Sequence, residues 1–202
     1  MSPIVRTGNY IKYASKNPLK KFFIKKFLER TAKVIFSLRS QNILDVGCGE
    51  GFVLGHLKKR GFAANLTGVD ISEEAISAGL AIFPGLNLVK GSVYNLPFAD
   101  DYFDVVMCLE VLEHLAEPEK ALKELVRVSK KHCLISVPNE PFFTLANMVS
   151  GNHWRNFGFE PEHINFFGEG KLKRLISKHA RIIATNRPFP WLLVLAEKNK
   201  NA

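Results

Sequence analysis

Short apolar runs alternate with segments of helical period along most of the chain. Runs at 42–46, 65–69, 86–90, 103–108 and 132–137 have strand length, while 18–38, 51–60, 72–82 and 118–130 repeat their apolar residues every three or four positions. This alternation predicts a parallel sheet with helices on both faces. Pro118, followed by Glu119-Lys120-Ala121-Leu122, marks a helix start. After the fifth strand the pattern changes. Residues 138–167 are rich in Phe, Asn, Gly and Pro and predict an insertion, ahead of a helix from Glu169 to about His179. Two last apolar runs, at 181–185 and 191–196, flank Asn186-Arg187-Pro188-Phe189-Pro190 and predict an antiparallel pair.

The first strand runs into Leu44-Asp45-Val46-Gly47-Cys48-Gly49-Glu50-Gly51-Phe52. Glycines at alternate positions let the backbone turn sharply and approach a ligand with no Cβ in the way. A dinucleotide site would need a third glycine where Phe52 stands, and Asp45 would repel a pyrophosphate. A carboxylate there suits a ligand carrying ammonium or sulfonium charge. The second strand ends in Asp70, 19 residues past Gly51, placed to accept from both hydroxyls of a ribose. The plainer role of Asp70 is to start the turn before a helix capped by Ser72, with Glu73 and Glu74 in its first turn.

Leu44 through Gly51 resembles the first motif of the class I S-adenosylmethionine-dependent methyltransferases. The string Phe103-Asp104-Val105-Val106-Met107-Cys108-Leu109-Glu110-Val111-Leu112-Glu113-His114-Leu115 resembles the fourth strand of the branch that contains the ubiquinone- and menaquinone-biosynthesis enzymes. The resemblance covers Ile43 to about Pro138. It implies a three-layer α/β sandwich, with a Rossmann-like seven-stranded, mostly parallel sheet and an antiparallel C-terminal strand. It also implies S-adenosylmethionine as cofactor. Asp45, Gly47, Cys48, Gly49 and Gly51 would hold the methionine part, Asp70 with Ile71 the ribose, and Ser92 and Val93 the adenine. Cys108 and Leu109 would flank the sulfonium. Ser92 departs from the family, which usually carries an aspartate there to accept from the adenine amino group. Glu110, Glu113 and His114 crowd a strand's carboxyl end, where open α/β sheets bind ligands; the alternative is a solvated helix start.

Length and composition narrow the picture. A chain of 202 residues that is 47% hydrophobic supports one domain with a sizeable core. Three cysteines without a C-x-x-C pair, Cys48, Cys108 and Cys133, suggest neither disulfides nor a metal site, and the expected compartment is cytoplasmic. The net charge of +9 resides in residues 1–40, which hold ten Lys or Arg and one acid, Glu29. We divide the chain into this basic amphipathic arm and a methyltransferase domain over 41–202. In the arm Leu19, Phe23, Phe27, Val34 and Leu38 recur at near-helical spacing. They predict a helix packed on the core, and the interleaved lysines add a peripheral contact with an anionic membrane. Nucleic acid is the least expected partner, and nothing sets an oligomeric state.

Methyl transfer from a sulfonium asks the protein mainly for alignment and exclusion of water. The acceptor wall is expected in Pro138–Phe143, His153-Trp154-Arg155-Asn156 and Glu160–Phe167, with His163 and His114 as candidate catalytic groups and Arg155 as a counter-charge for an acidic acceptor. Enzymes that methylate exocyclic nucleobase amines usually carry an Asn/Asp-Pro-Pro-aromatic string where Leu109-Glu110-Val111-Leu112 stands. No cysteine follows a proline, as a cytosine C5 enzyme would need. The expected acceptor is therefore a small molecule, hydrophobic or lipid-linked, with oxygen preferred over carbon or nitrogen. A docking protein that keeps the cofactor site without turnover is the alternative.

Overall fold

The computed structural model describes residues 8–62, 65–149 and 163–199. A short helix, α1 (Gly8–Tyr13), precedes the long α2 (Pro18–Leu38), which Asn17 starts by accepting at its side-chain oxygen from the N–H groups of Leu19 and Lys20 at 2.9 and 3.2 Å. There follow β1 (Asn42–Val46), α3 (Phe52–Lys59), β2 (Asn65–Asp70), α4 (Glu73–Ile82), β3 (Asn87–Lys90) and β4 (Phe103–Leu109). A 3-10 turn (Leu112–His114) leads to α5 (Pro118–Val128), β5 (Ser129–Pro138), α6 (Phe142–Val149), α7 (Glu169–Ser177), β6 (Ala180–Asn186) and β7 (Trp191–Lys198).

The seven strands form one sheet in the order β3-β2-β1-β4-β5-β7-β6. Only β7 runs against its neighbours, pairing antiparallel with both β5 and β6, as the resemblance implies. The chain reverses its direction of travel across the sheet between β1 and β4. Open α/β sheets hold their ligands at such a switch point, outside the carboxyl ends of the strands.

Side chains alternate across each strand, so two cores form. Val106, Cys108, Cys133 and Ile135 pack with Leu122 and Leu125 of α5 and Leu172 and Ile176 of α7. On the other face Ile43, Val105, Met107, Leu109 and Leu134 meet α2, α3 and α4. The buried stripe of α2 is Ile24, Phe27, Thr31, Ala32 and Ile35, with Phe27 against Trp191 at 5.1 Å between ring centroids. Leu19, expected on that stripe, is instead exposed.

Three boundaries differ from expectation. The helix predicted to end at 130 stops at Val128, because Ser129 already pairs with Phe103 across an irregularity in the β4–β5 ladder. The helix predicted to reach His179 stops at Ser177. The insertion contains a helix, α6, whose roughly two turns are too short to set a clear helical period.

Candidate active site

The turn after β1 is built from backbone that only glycine adopts easily. Gly47, Gly49 and Gly51 have φ of 74°, 54° and 77°. Gly47 and Cys48 donate their N–H groups to the Val69 carbonyl at 2.8 and 3.1 Å, which ties the turn to β2. A Cβ on Gly47 would lie 2.3 Å from Val111 Cγ2, so the turn also sits hard against the exit of β4. Asp70 spans the gap between turn and strand. Its Oδ2 accepts from the Gly49 N–H at 2.7 Å and its Oδ1 from the Ser72 N–H at 2.9 Å. The plainer role of Asp70, starting the turn, is therefore observed, and a carboxylate with about four acceptor sites, two of them used here, keeps room for further donors. Next to it the Ile71 side chain is 72% exposed and leaves an apolar surface beside the turn. Ser92 accepts from the Tyr94 N–H at 3.2 Å, so its hydroxyl shapes its own loop, and Val93 is partly buried against the α5-side core.

Carboxyl groups gather around this turn. Asp45 is 2% exposed, and burial together with the nearby Asp70 charge pushes its carboxyl up to about 8. Glu50 is fully buried and is also shifted upward by burial; its Oε1 accepts from the Tyr10 N–H at 3.1 Å, and its Oε2 has no hydrogen-bond partner. Glu110 directly follows β4 with φ of 59° and donates its N–H to the Ser136 carbonyl at 3.0 Å. Its Oε1 is likewise buried and unpartnered. Glu113, three residues on, is 1% exposed, which rules out the solvated helix start. Burial first, and Glu110 second, hold its carboxyl well above the ordinary carboxylate range. Such a crowd of under-satisfied carboxyl groups favours a cationic ligand.

Helix α1 lies across this mouth. Besides the Tyr10 contact to Glu50, the Tyr13 ring stacks on Phe52 at 4.6 Å, and the Lys12 ammonium reaches Glu110 Oε2 at 2.5 Å while lying 5.5 Å from the Trp191 ring centre. Burial works to discharge Lys12, but Glu110 outweighs it and holds the ammonium above its ordinary range. Among ten basic residues of the arm, nothing in the sequence singles Lys12 out.

On the far side of β4 the chain folds back on itself. Ile164 and Asn165 donate their N–H groups to the Glu113 carbonyl at 3.0 and 2.9 Å, and the Asn165 side chain donates to the Leu115 carbonyl at 2.6 Å. This clamp sets the His163 ring 4.9 Å from that of His114, with Phe143 at 5.6 Å and Trp191 beyond it. The two predicted catalytic histidines therefore meet although 49 residues separate them. His153, Trp154, Arg155, Asn156, Glu160, Pro161 and Glu162 lie outside the described residues.

The two residues expected to flank the sulfonium face different sides of the sheet. Cys108 is fully buried and points to the α5 face, opposite to Asp45, because strand alternation sends Leu109 and Cys108 to different sides. Leu109, on the Asp45 face at the end of β4, is the residue placed at the mouth.

Residues 44–137 match the family model described as a methyltransferase domain. The chain carries a class I S-adenosylmethionine-dependent methyltransferase domain. Curated relatives of this chain include norajmaline N-methyltransferase of Rauvolfia serpentina, 33% identical over 99 residues, 46% of this chain and 34% of the relative. Another is ubiquinone biosynthesis O-methyltransferase of Hydrogenovibrio crunogenus, 32% identical over 121 residues, 56% of this chain and 45% of the relative. The matched part thus spans less than half the length of either. Among solved structures, magnesium protoporphyrin IX methyltransferase of Synechocystis PCC 6803 with bound SAH shares the fold, with a TM-score of 0.70 at 16% identity over 95% of this chain and 97% of that one. The glycine turn fits the cofactor of the class on its own observations, with a Cβ-free cradle and one buried, unpartnered oxygen on each of Glu50 and Glu110. No helix among the described residues is long and apolar enough to cross a membrane.

Proposed function

We propose that this methyltransferase moves a methyl group from S-adenosylmethionine to a small hydrophobic or lipid-linked acceptor, with oxygen as the receiving atom. The observation that carries the reading is the aromatic wall beyond the carboxyl end of β4, where His114, His163, Phe143 and Trp191 lie in succession. When bound, the cofactor supplies a methyl group already activated by its positive sulfur. Asp70, which retains free acceptor sites after serving Gly49 and Ser72, holds the ribose. Asp45 and the glycine turn hold the methionine part, Ile71 and Val93 give apolar cover to the adenine, and Leu109 borders the sulfur. Ser92 replaces the usual acceptor for the adenine amino group and contributes least. Alignment in a dry pocket supplies most of the rate, roughly 7–11 kcal/mol of barrier in well-oriented reactions.

Access from a lipid surface is favoured by the outer side of the arm. Leu19 and Phe22 of α2 are exposed, and Phe22 meets Phe23, which touches the exposed Phe189 beside Trp191. Lys20, Lys21, Lys25 and Lys26 lie within four residues of Phe22 along α2, with the Lys26 ammonium 4.6 Å from its ring centre, and each lysine near an anionic membrane contributes about 1 kcal/mol.

Two measurements test the proposal. Calorimetry should show binding of S-adenosylmethionine and of its demethylated product, and labelled cofactor should transfer its methyl to a component of an organic-solvent extract rather than an aqueous one. Absence of cofactor binding would overturn the activity, and labelling confined to aqueous metabolites the acceptor class. Sedimentation with vesicles containing anionic lipid should remove the protein at low salt and release it at high salt, with Phe22→Ser weakening the association. Equal binding to neutral vesicles would refute the electrostatic arm.

A further inference from the structure

We propose that Arg127 is a positioning residue for the adenine end of the cofactor, fixing from α5 the loop that carries Ser92 and Val93. A guanidinium has five N–H donors, and all of those on Arg127 are engaged. Nε donates to Glu124 Oε1 at 2.7 Å, Nη1 to the Phe98 carbonyl at 2.9 Å and to Asp100 Oδ1 at 2.7 Å, and Nη2 to the Leu96 carbonyl at 3.1 Å and to Glu124 Oε2 at 2.8 Å. Glu124 Oε2 in turn accepts from the Leu96 N–H at 2.9 Å. One ion pair thus binds an N–H and two carbonyls of a single loop.

The helix is patterned for this task. Ala121, Leu122, Leu125, Val126 and Val128 are its buried residues. Glu117, Lys120, Glu124 and Arg127, spaced by three, four and three positions, share another face, and each of them meets the loop. The Glu117 N–H donates to the Tyr94 hydroxyl at 3.2 Å, and the Lys120 ammonium lies 5.4 Å from the centre of the Tyr94 ring. The start of the loop is tied to the ribose side, where the Gly91 N–H donates to the Asp70 carbonyl at 2.9 Å.

Between Gly91 and Phe98 there is no carboxylate to accept from an adenine amino group. The Ser92 hydroxyl is occupied with the Tyr94 N–H. The base is therefore held by the shape of the loop, through its backbone groups and the apolar side of Val93. Such groups cannot swing into place as a long side chain does, and a loop that is ordered only on binding loses affinity. Arg127 supplies the order in advance without touching the cofactor. Its hydrogen bonds also hold the Glu124 carboxyl below the ordinary carboxylate range, so the pair stays charged in mild acid. This role rests on the placement of the adenine beside Val93 proposed above.

The test uses the full chain and two probes followed by calorimetry below the melting range of every variant. One probe is the demethylated cofactor, and the other is methylthioadenosine, which keeps the adenine and ribose but lacks the amino-acid part. Arg127→Lys keeps the charge and replaces a planar fork by a single point. Both probes should bind it about tenfold more weakly, the effect of one lost hydrogen bond to a charged partner. Asp100→Asn, at the exposed end of the fork, should weaken both by less. Arg181→Lys, at the ion pair with Glu197 across β6 and β7, should change neither. Val93→Ala should weaken both by roughly three- to tenfold through lost apolar cover. A lower melting midpoint in Arg127→Lys with wild-type affinity for both probes would mean a purely structural role and overturn the proposal. If Val93→Ala then also binds like wild type, the placement of the adenine falls with it. If Val93→Ala alone binds more weakly, only the role of Arg127 falls.

Discussion

Asp45→Asn should make the free protein more stable at neutral pH and a poorer binder of S-adenosylmethionine. The carboxyl of Asp45 is held at about 8 in the folded chain, against about 3.9 in an unfolded one. Below about pH 4 both states are protonated and nothing is lost. As pH rises from about 4 towards about 8 the unfolded chain releases its proton while the folded one retains it, so stability falls through that window. At pH 7 the penalty has an upper limit of roughly 4 kcal/mol. Removing it with the neutral isostere should raise the melting midpoint by up to roughly 8–16 °C at pH 7 and by little at pH 4. The same ionisation governs the ligand. A sulfonium and an ammonium favour the charged form, so wild-type binding should release a proton and tighten with pH up to about 8. Asp45→Asn should bind about ten- to a hundredfold more weakly, with no such slope. Calorimetry in buffers of different ionisation enthalpy reads the proton directly. An Asn variant that keeps the wild-type pH slope would show that Asp45 is not the group responsible.

Asp70→Ala should be the most damaging single change for the cofactor, and it should act twice. It removes the acceptor of the ribose, and it releases the Gly49 and Ser72 N–H groups from bonds of 2.7 and 2.9 Å. Hydrogen bonds to a charged partner contribute about 1.5–3 kcal/mol each. We expect affinity to fall by at least about a hundredfold and the melting midpoint to drop by roughly 5–10 °C. Asp70→Asn should recover only part of the stability. Its amide offers an acceptor at one end and a donor at the other, and the donor would face a backbone N–H. Comparing the two variants by calorimetry and thermal melting checks this, and full recovery by Asn would mean that only one of the two bonds matters.

What the sequence disclosed follows the range of the interactions. The glycine turn, Asp45 and Asp70 are local, because a positive φ or a strand-end carboxylate is dictated by a few neighbours. The alternation of strand and helix was equally plain, and each strand appeared within about three residues of its predicted place. That Cys108 and Leu109 face opposite sides of β4 was legible too, since side chains alternate along a strand. Helix α6 was hidden because Phe142–Val149 is only about two turns long and lies in a stretch rich in Pro, Asn and Gly. The contacts of α1 were out of reach for another reason. Lys12 finds Glu110 across 98 residues and Tyr10 finds Glu50 across 40, and neither pairing leaves a mark on the chain around it. The meeting of His114 with His163 depends on a backbone clamp that no side-chain pattern records.

The reversed direction of β7 has a practical side. Because Trp191 pairs with Pro138 and Glu197 with His132, the strand starts beside the reaction centre and travels away from it, ending where Lys198 meets Asp101 at 2.7 Å. Helix α1 lies at the opposite end of the sheet, across the mouth. A fluorophore or affinity handle joined after Lys198 would sit a full strand's length from the chemistry. The same handle joined ahead of Gly8 would sit on the doorway, and immobilising the protein by that end would orient its mouth towards the support.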